Sequence, residues 1–352
     1  MDNITLINRL PRIFFFGMLL LSSIYFFFIG TEKYNTIKIS EINIEEISQD
    51  ININNRDKNI DKIYDISKLK SDLKDFSWVK KNKEKVNINN NEVALLINKM
   101  DKNNYSLEKV IFNKKIPGFF VNELPEDISY IRDTEQKKKI FISIVLPLIV
   151  EVNRDLKLKR SRLKKLYDKL SQDQTLTLKE HRWLINLALE NSIKISQINK
   201  IEIAKNLLIN IDIIPNSIAI AQAAKESGWG TSRFAIEGNA LFGQWTFNNS
   251  NGLIPKERQV GEDHYVKSFA NLKDSVKSYM QNINTHKAYK SFREKRFQYR
   301  QNNRSLDPIV LVHELSSYAE LNNYTEILQL IIEKNELYIF DDVKLIINNS
   351  LV

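Results

Sequence analysis

The sequence predicts a mainly α fold of the α+β kind, preceded by a single N-terminal transmembrane helix. Three observations lead there: an uncharged run from Ile13 to Gly30, a chain rich in helix formers from Thr134 onward, and one short, turn-bounded, partly alternating segment between Gln244 and Phe269. With 352 residues, 43% of them hydrophobic, the chain can bury at least one full core, which excludes a wholly disordered protein. A balance of 52 Lys+Arg against 43 Asp+Glu leaves +9. That favours a polyanionic partner without choosing among nucleic acid, anionic lipid and an acidic cell-wall polymer. No recognisable module interleaves the basic residues with aromatic ones, so nucleic acid is not an expected partner. Cysteine is absent, which removes disulfides, thiolate chemistry and Cys-based zinc sites.

The run Ile13–Gly30, IFFFGMLLLSSIYFFFIG, would span about 27 Å as a helix at about 1.5 Å per residue, enough to cross a bilayer core. Arg9 and Arg12 precede it while Glu32 and Lys33 cancel after it. Residues 1–12 are therefore expected in the cytoplasm and everything beyond Gly30 outside. A cleavable signal peptide is the competing reading, but the bulky Phe26, Phe27, Phe28 and Ile29 resemble no small-residue cleavage site. Residues 31–115 are dominated by Asn, Ile, Lys and Asp, as in INIEEISQDININNRDKN, and show no sustained helical or strand period. They read as an extended spacer.

A helical platform is expected over 116–205. Its first helix, Thr134 to Leu170, has an apolar centre, Ile140–Val150, too short to cross a bilayer and so read as buried core; Pro147 should kink or restart it. Further helices are expected over about Leu178 to Asn191 and about Ile198 to Ile209. The segment 206–340 carries the chemistry. Pro215 and Ser217 signal a helix start, and the helix should run to about Ser227, with Gly228 taking the left-handed stop. Glu226 then sits in the last turn on one face with Ala219, Gln222 and Ala223. Small neighbours admit close packing, burial raises a carboxyl pKa, and the partial negative charge of the helix end acts in the same direction. A carboxylic acid that stays protonated can donate its proton to a leaving oxygen. The plain alternative is a solvated helix residue. Trp229, between Gly228 and Gly230, and Asn239-Ala240-Leu241-Phe242-Gly243 suit either a sugar-stacking floor with a tight loop, or a core tryptophan and a turn. His264, His286 and His313 lack close metal-ligand spacing, and no Gly-rich phosphate loop or serine elbow occurs, so neither metal nor cofactor is expected. Tyr279, Tyr289, Phe292 and Tyr299 recur near helical spacing and read as core.

The stretches AQAAKESGWGTSRFAIEGNALFGQW, SFANLKDSVKSYMQNINTHKAYKSFR and LSSYAELNNYTEILQLII together resemble the Bax-type glucosaminidase family, relatives of the peptidoglycan endo-β-N-acetylglucosaminidases of glycoside hydrolase family 73. The resemblance covers roughly Pro117 to Leu337. It implies a lysozyme-like helical domain with a small β-hairpin lobe, a glycan cleft between them, and Glu226 as general acid. A second carboxylate in the β-lobe and a tyrosine in a later Tyr-Ala motif are further implied, for which this chain offers Glu257 or Glu262 and Tyr318; the carboxylates read equally as surface charge beside Lys256 and Arg258. Implied substrate contacts are Trp229, Asn239, Phe242, Gln244, Trp245 and Tyr289. Phe269 departs from the family, which commonly has tyrosine there, so that hydroxyl is not essential. The expected protein is a peptidoglycan hydrolase tethered to the bacterial inner membrane, with its catalytic domain on the outer side and glycan strands as partner. A lytic transglycosylase, an amidase and a non-catalytic wall-binding scaffold are the rivals.

Overall fold

The computed structural model describes residues 91–195, 199–247, 252–254, 264–319 and 323–346. The chain divides into two units, Met1–Asp75 and Phe76–Val352, and every described residue lies in the second. The expected membrane span Ile13–Gly30 lies outside the described residues; among those described, no helix is long and apolar enough to cross a membrane.

The architecture is mainly helical with small sheets. In chain order come α1 (Asn91–Lys102), α2 (Leu107–Asn113), β1 (Lys115–Ile116), α3 (Thr134–Ser171), α4 (Leu178–Glu190), α5 (Lys200–Asn210), α6 (Asn216–Ser227) and α7 (Arg233–Gly238). There follow β2 (Trp245–Thr246), β3 (Gly252–Leu253), β4 (Tyr265–Lys267), α8 (Leu272–Thr285), α9 (Lys290–Gln301), α10 (Pro308–Val312), α11 (Tyr324–Lys334) and β5 (Lys344–Leu345). The antiparallel sheet β2–β4–β3 is the expected β-lobe, and β1 pairs in parallel with β5, joining residues far apart in sequence.

One hydrogen bond bears on two of the expectations. The spacer was to extend to residue 115, yet α1 and α2 are folded onto the helical body, burying Val93, Leu96, Met100, Leu107, Val110 and Ile111. Pro147 was to kink or restart α3, and of these the restart does not occur, since one helix continues through it. Proline has no N–H to give the carbonyl four residues earlier, here that of Ser143. The buried Tyr105 hydroxyl, between α1 and α2, donates to that carbonyl at 2.7 Å. The residues read as spacer thus supply the donor that proline withdraws. Their apolar spacing, Val93, Leu96 and Met100, is diluted by Asn and Lys, which hid the helical period.

Helix α6 is the axis of the fold. From Asn216 to Ala224 every residue is buried, so the helix is enclosed by its neighbours, among them α3, α11 and the 3-10 turn Leu337–Phe340. Ala219, Ala221, Ala223 and Ala224 permit this, since small side chains let neighbouring elements approach a helix closely. Its N-terminus lacks a local cap. Asp341 supplies one from the other end of the chain, accepting from the Ser217 backbone N–H and Ser217 Oγ, both at 2.8 Å. Burial, with Asp342 adjacent, raises the Asp341 carboxyl to about 6. Asn153 on α3 bonds Asn216 Oδ1 and the Ile214 carbonyl, and Asn216 donates to the Phe340 carbonyl. The link from α5 into α6 is pinned by Arg296, fully buried, which donates to the carbonyls of Ile209, Asn210, Asp212 and Ile213. Arg160 and Arg300 close on the Asp212 carboxylate at 3.3 and 2.8 Å. Burial pushes Asp212 up, and the three guanidiniums outweigh it and hold the group below its ordinary range.

Tyr105→Phe leaves the Ser143 carbonyl buried without a donor. It should destabilise the protein by about 1–3 kcal/mol in urea denaturation, with the loss confined to stability. A loss within error of zero would mean that α3 does not depend on this bond.

Candidate active site

At its C-terminus α6 stops where the sequence predicts. Gly228 adopts φ +59°, followed by Trp229 at +58° and Gly230 at +82°. Gly230 admits no side chain there, since a Cβ would lie 2.9 Å from the Phe141 ring. Ser227 locks the turn, donating to the Ala223 carbonyl and accepting from the Gly230 N–H. Glu226 is thereby held in the last turn, half-buried, four residues after Gln222 and on the same face.

One oxygen of Glu226 is committed. Tyr324, at the start of α11, donates its hydroxyl to Glu226 Oε1 at 2.9 Å. The same hydroxyl accepts from Gln222 Nε2 at 3.1 Å, and Gln222 Oε1 accepts from Tyr279 on α8 at 2.5 Å. Donors therefore run in one direction, from Tyr279 through Gln222 and Tyr324, and end on the carboxylate. Gln222, Tyr279 and Tyr324 are buried, so each hydroxyl proton and amide hydrogen in this chain is fixed by its neighbour. The other oxygen, Oε2, faces Gly243, where a Cβ would sit 3.6 Å away; Gly243 has φ +59° and brings bare backbone to the carboxyl.

Electrostatics follow from this enclosure. Burial pushes the Glu226 pKa up, partly offset by the Tyr324 hydrogen bond and by Lys225, and the net direction is upward. Tyr318 and Tyr324 are raised well above the usual tyrosine value by burial and then by the negative charge of Glu226; Tyr279 is raised by burial, then by Tyr289 and Glu226. These hydroxyls stay protonated and act as donors. What the arrangement can do is favour the protonated form of a carboxyl, with one oxygen fixed and the other beside an open backbone.

The expected site residues divide. Phe242 stacks on Tyr279 at 3.9 Å with 5° between planes, and Tyr318 donates to the Phe242 carbonyl at 3.0 Å while stacking on Tyr324 at 5.6 Å. Tyr318 thus braces the loop 239–243 and bonds no oxygen of Glu226 in this structure. Tyr289 packs on Tyr318 at 5.9 Å and joins the same aromatic wall. Asn239, at φ +53°, ends α7 and donates to the Phe269 carbonyl, which explains the turn. Gln244 donates to the Ser278 carbonyl, and Lys267 to Ser278 Oγ, tying the β-lobe to α8. Trp245 is 52% exposed on that lobe, stacked on His264 at 4.3 Å. Trp229 instead meets Phe141 edge-on at 5.8 Å, with the Lys138 ammonium over its ring. Glu257 and Glu262 lie outside the described residues, and among those described no group of His, Cys, Asp or Glu is clustered as a metal site.

Sequence reasoning missed Tyr324 and the role of Gln222. The signal for Gln222 was its i, i+4 relation to Glu226; Tyr324 stands six residues after Tyr318, and nothing local marks which of the two reaches the carboxyl.

The model of the family described as mannosyl-glycoprotein endo-beta-N-acetylglucosaminidase matches residues 201–337, which include Glu226 and its hydrogen-bonded partners Gln222, Tyr279 and Tyr324. Protein bax of Escherichia coli (strain K12) is 32% identical over 207 residues, covering 58% of this chain and 72% of that protein. The crystal structure of the catalytic domain of the autolysin Auto from Listeria monocytogenes aligns at 18% identity over 51% of this chain and 96% of that one, with a TM-score of 0.29; at that score the superposition adds nothing to the fold assignment.

Tyr324→Phe removes the donor to Glu226 and the acceptor for Gln222 at once, and should destabilise the protein by about 1–3 kcal/mol, more than Tyr318→Phe. The hydrogen bond favours ionised Glu226, so its removal raises that pKa further. A carboxyl whose folded pKa is raised contributes stability at low pH and loses it as pH rises through the folded value. The deficit of Tyr324→Phe should therefore be larger at alkaline than at acid pH, and urea titrations at both would show it. An equal deficit at both would mean that Tyr324 does not sense the charge of Glu226.

Proposed function

The chain belongs to the Bax-type glucosaminidase-domain family and is a glycoside hydrolase, and from that premise we propose that it cleaves peptidoglycan glycan strands as an endo-β-N-acetylglucosaminidase, with Glu226 as general acid. The observation that carries the proposal is the Glu226 carboxyl itself, desolvated, raised in pKa, and bonded by Tyr324 on one oxygen only. Because Tyr324 is held as a donor by Gln222, Oε1 is an acceptor, and the acidic proton resides on Oε2. That proton passes to the glycosidic oxygen as the bond from the anomeric carbon to that oxygen breaks. Water then adds to the anomeric carbon and leaves a reducing N-acetylglucosamine. A β-lobe carboxylate, Glu257 or Glu262, activates that water, or the substrate acetamido oxygen first bonds to the anomeric carbon as the leaving oxygen departs and water then opens the ring so formed.

The exposed Trp245 suits a sugar chain, whose ring faces stack on aromatic surfaces while its hydroxyls need polar partners, and the buried Phe242 and Tyr289 shape the wall behind Tyr318. In this reading residues 206–340 form the lysozyme-like catalytic domain on the helical platform of 116–205. A location of both on the outer side of the bacterial inner membrane is part of the same proposal, and its support is the charge pattern around Ile13–Gly30.

Glu226→Gln keeps shape and hydrogen bonding but removes the proton to be transferred. Release of fragments from purified sacculi should fall by at least about a hundredfold, while circular dichroism stays unchanged. Glu257→Gln and Glu262→Gln, assayed alongside, rank the candidates for the second group. Mass spectrometry of the wild-type products should find reducing N-acetylglucosamine ends. Anhydro-muramic ends would establish a transglycosylase, and undiminished digestion by a folded Glu226→Gln would refute the acid assignment.

A further inference from the structure

Helices α5 and α9 part beside the loop that joins α4 to α5, and leave an open groove of about 550 Å³. From α9 come Lys290, Arg293 and Glu294, which share one face of that helix. Arg293 is only 6% exposed. Its Nη1 donates to the carbonyls of Ile283 and His286 at 3.0 and 2.8 Å, which caps the end of α8. Nε is buried without a hydrogen-bond partner, and among the described residues no carboxylate lies within ion-pair distance of the guanidinium. Burial lowers the Arg293 pKa, and Glu294 offsets only part of that effect. A buried cation with an idle donor is costly, and an anion in the groove relieves the cost. The edge formed by Nε and Nη2, which the α8 carbonyls leave unused, is one that meets a carboxylate through two parallel bonds.

Charge and polarity select the occupant. Lys194 and Lys290 flank Arg293, and Glu294 is the single acid of the lining, paired with Lys290 at 3.5 Å in an exposed contact that contributes little. Three cations against one acid leave two positive charges, which suits a carboxylate, while Glu294 repels a phosphate dianion. On α5, Asn206 and Asn210 stand one turn apart, and neither side-chain amide is engaged by a described residue. Such amides match a peptide group, donor to acceptor and acceptor to donor. Ile193 and Ile209, both half-buried, offer apolar contact to side chains of methyl size. We propose that this groove binds a short peptide by its free C-terminal carboxylate, which Arg293 holds between Lys194 and Lys290. The proposal rests on the peptidoglycan reading above, in which the occupant is the stem peptide carried by the glycan strand. Helix α9 begins at Lys290, next to Tyr289, which packs on Tyr318 and senses the charge of Glu226, so the groove starts one residue from the wall of the glycan site.

The test is calorimetric titration of the full chain, in detergent solution, with N-acetyl-D-alanyl-D-alanine, the end of an uncut stem peptide, with its C-terminal amide, and with inorganic phosphate. The dipeptide should bind at least about tenfold more tightly than its amide, which leaves the guanidinium without an anion. Lys194→Ala combined with Lys290→Ala should weaken the dipeptide by at least about threefold. Both lysines are exposed, so the fold survives the change, and circular dichroism verifies it. Equal affinity for dipeptide and amide, no binding of the dipeptide at about 10 mM, or unchanged affinity in the double variant would overturn the proposal. Phosphate binding more tightly than the dipeptide would also overturn it, in favour of an inorganic anion site. Binding is read without turnover, so the two readings fail separately. A chain that digests sacculi but does not bind the dipeptide ends this proposal alone, and one that binds the dipeptide but digests no sacculi ends the hydrolase reading and leaves the groove a peptide site.

Discussion

Burying α6 on all sides is the constraint from which the rest follows. A carboxyl at the end of a solvated helix would titrate normally and hold no fixed geometry. Here Asn216 to Ala224 is buried throughout, so the final turn emerges from the interior with Glu226 only half exposed. Such a helix has no polar face to orient it. Its position is set by polar clamps at its N-terminal end: Asp341 on Ser217, Asn153 on Asn216, and the arginines on the carbonyls of 209–213. Each joins segments distant in sequence, so the site at one end depends on chain closure at the other.

Around the carboxyl, hydrogen bonding sets direction where burial sets pKa. Desolvation alone would raise Glu226 without distinguishing its oxygens. The series Tyr279, Gln222, Tyr324 makes the distinction, because each member donates onward and the last has nowhere to donate but Oε1. Tyr318 takes a separate task, holding the Phe242 carbonyl and with it the loop that brings Gly243 to Oε2. Two tyrosines six residues apart thus serve the two sides of one carboxyl.

Much of this was legible beforehand where the information is local. The stop at Gly228, the limits of α6, the turn at Asn239 and the face shared by Gln222 and Glu226 all depend on residues within a few positions of one another. The failures have a common physical origin in distance. Pro147 reads as a break because its missing donor is replaced by Tyr105, about forty residues upstream, and no periodicity encodes that exchange. Trp229 beside the glutamate reads as a sugar floor or as a core tryptophan, and local sequence does not show that three successive left-handed residues turn its ring onto Phe141. Tyr324 was invisible as a partner because only the packing of α11 against α6 brings it to Glu226.

The central claim is that the fold desolvates Glu226 and so raises its pKa above the ordinary glutamate range. Carbon-13 NMR of the side-chain carboxyls in glutamate-labelled protein, with Glu226→Gln assigning the resonance, reads its titration directly. The account predicts a midpoint clearly above the ordinary glutamate value of about 4.3. A midpoint at or below that value would contradict it.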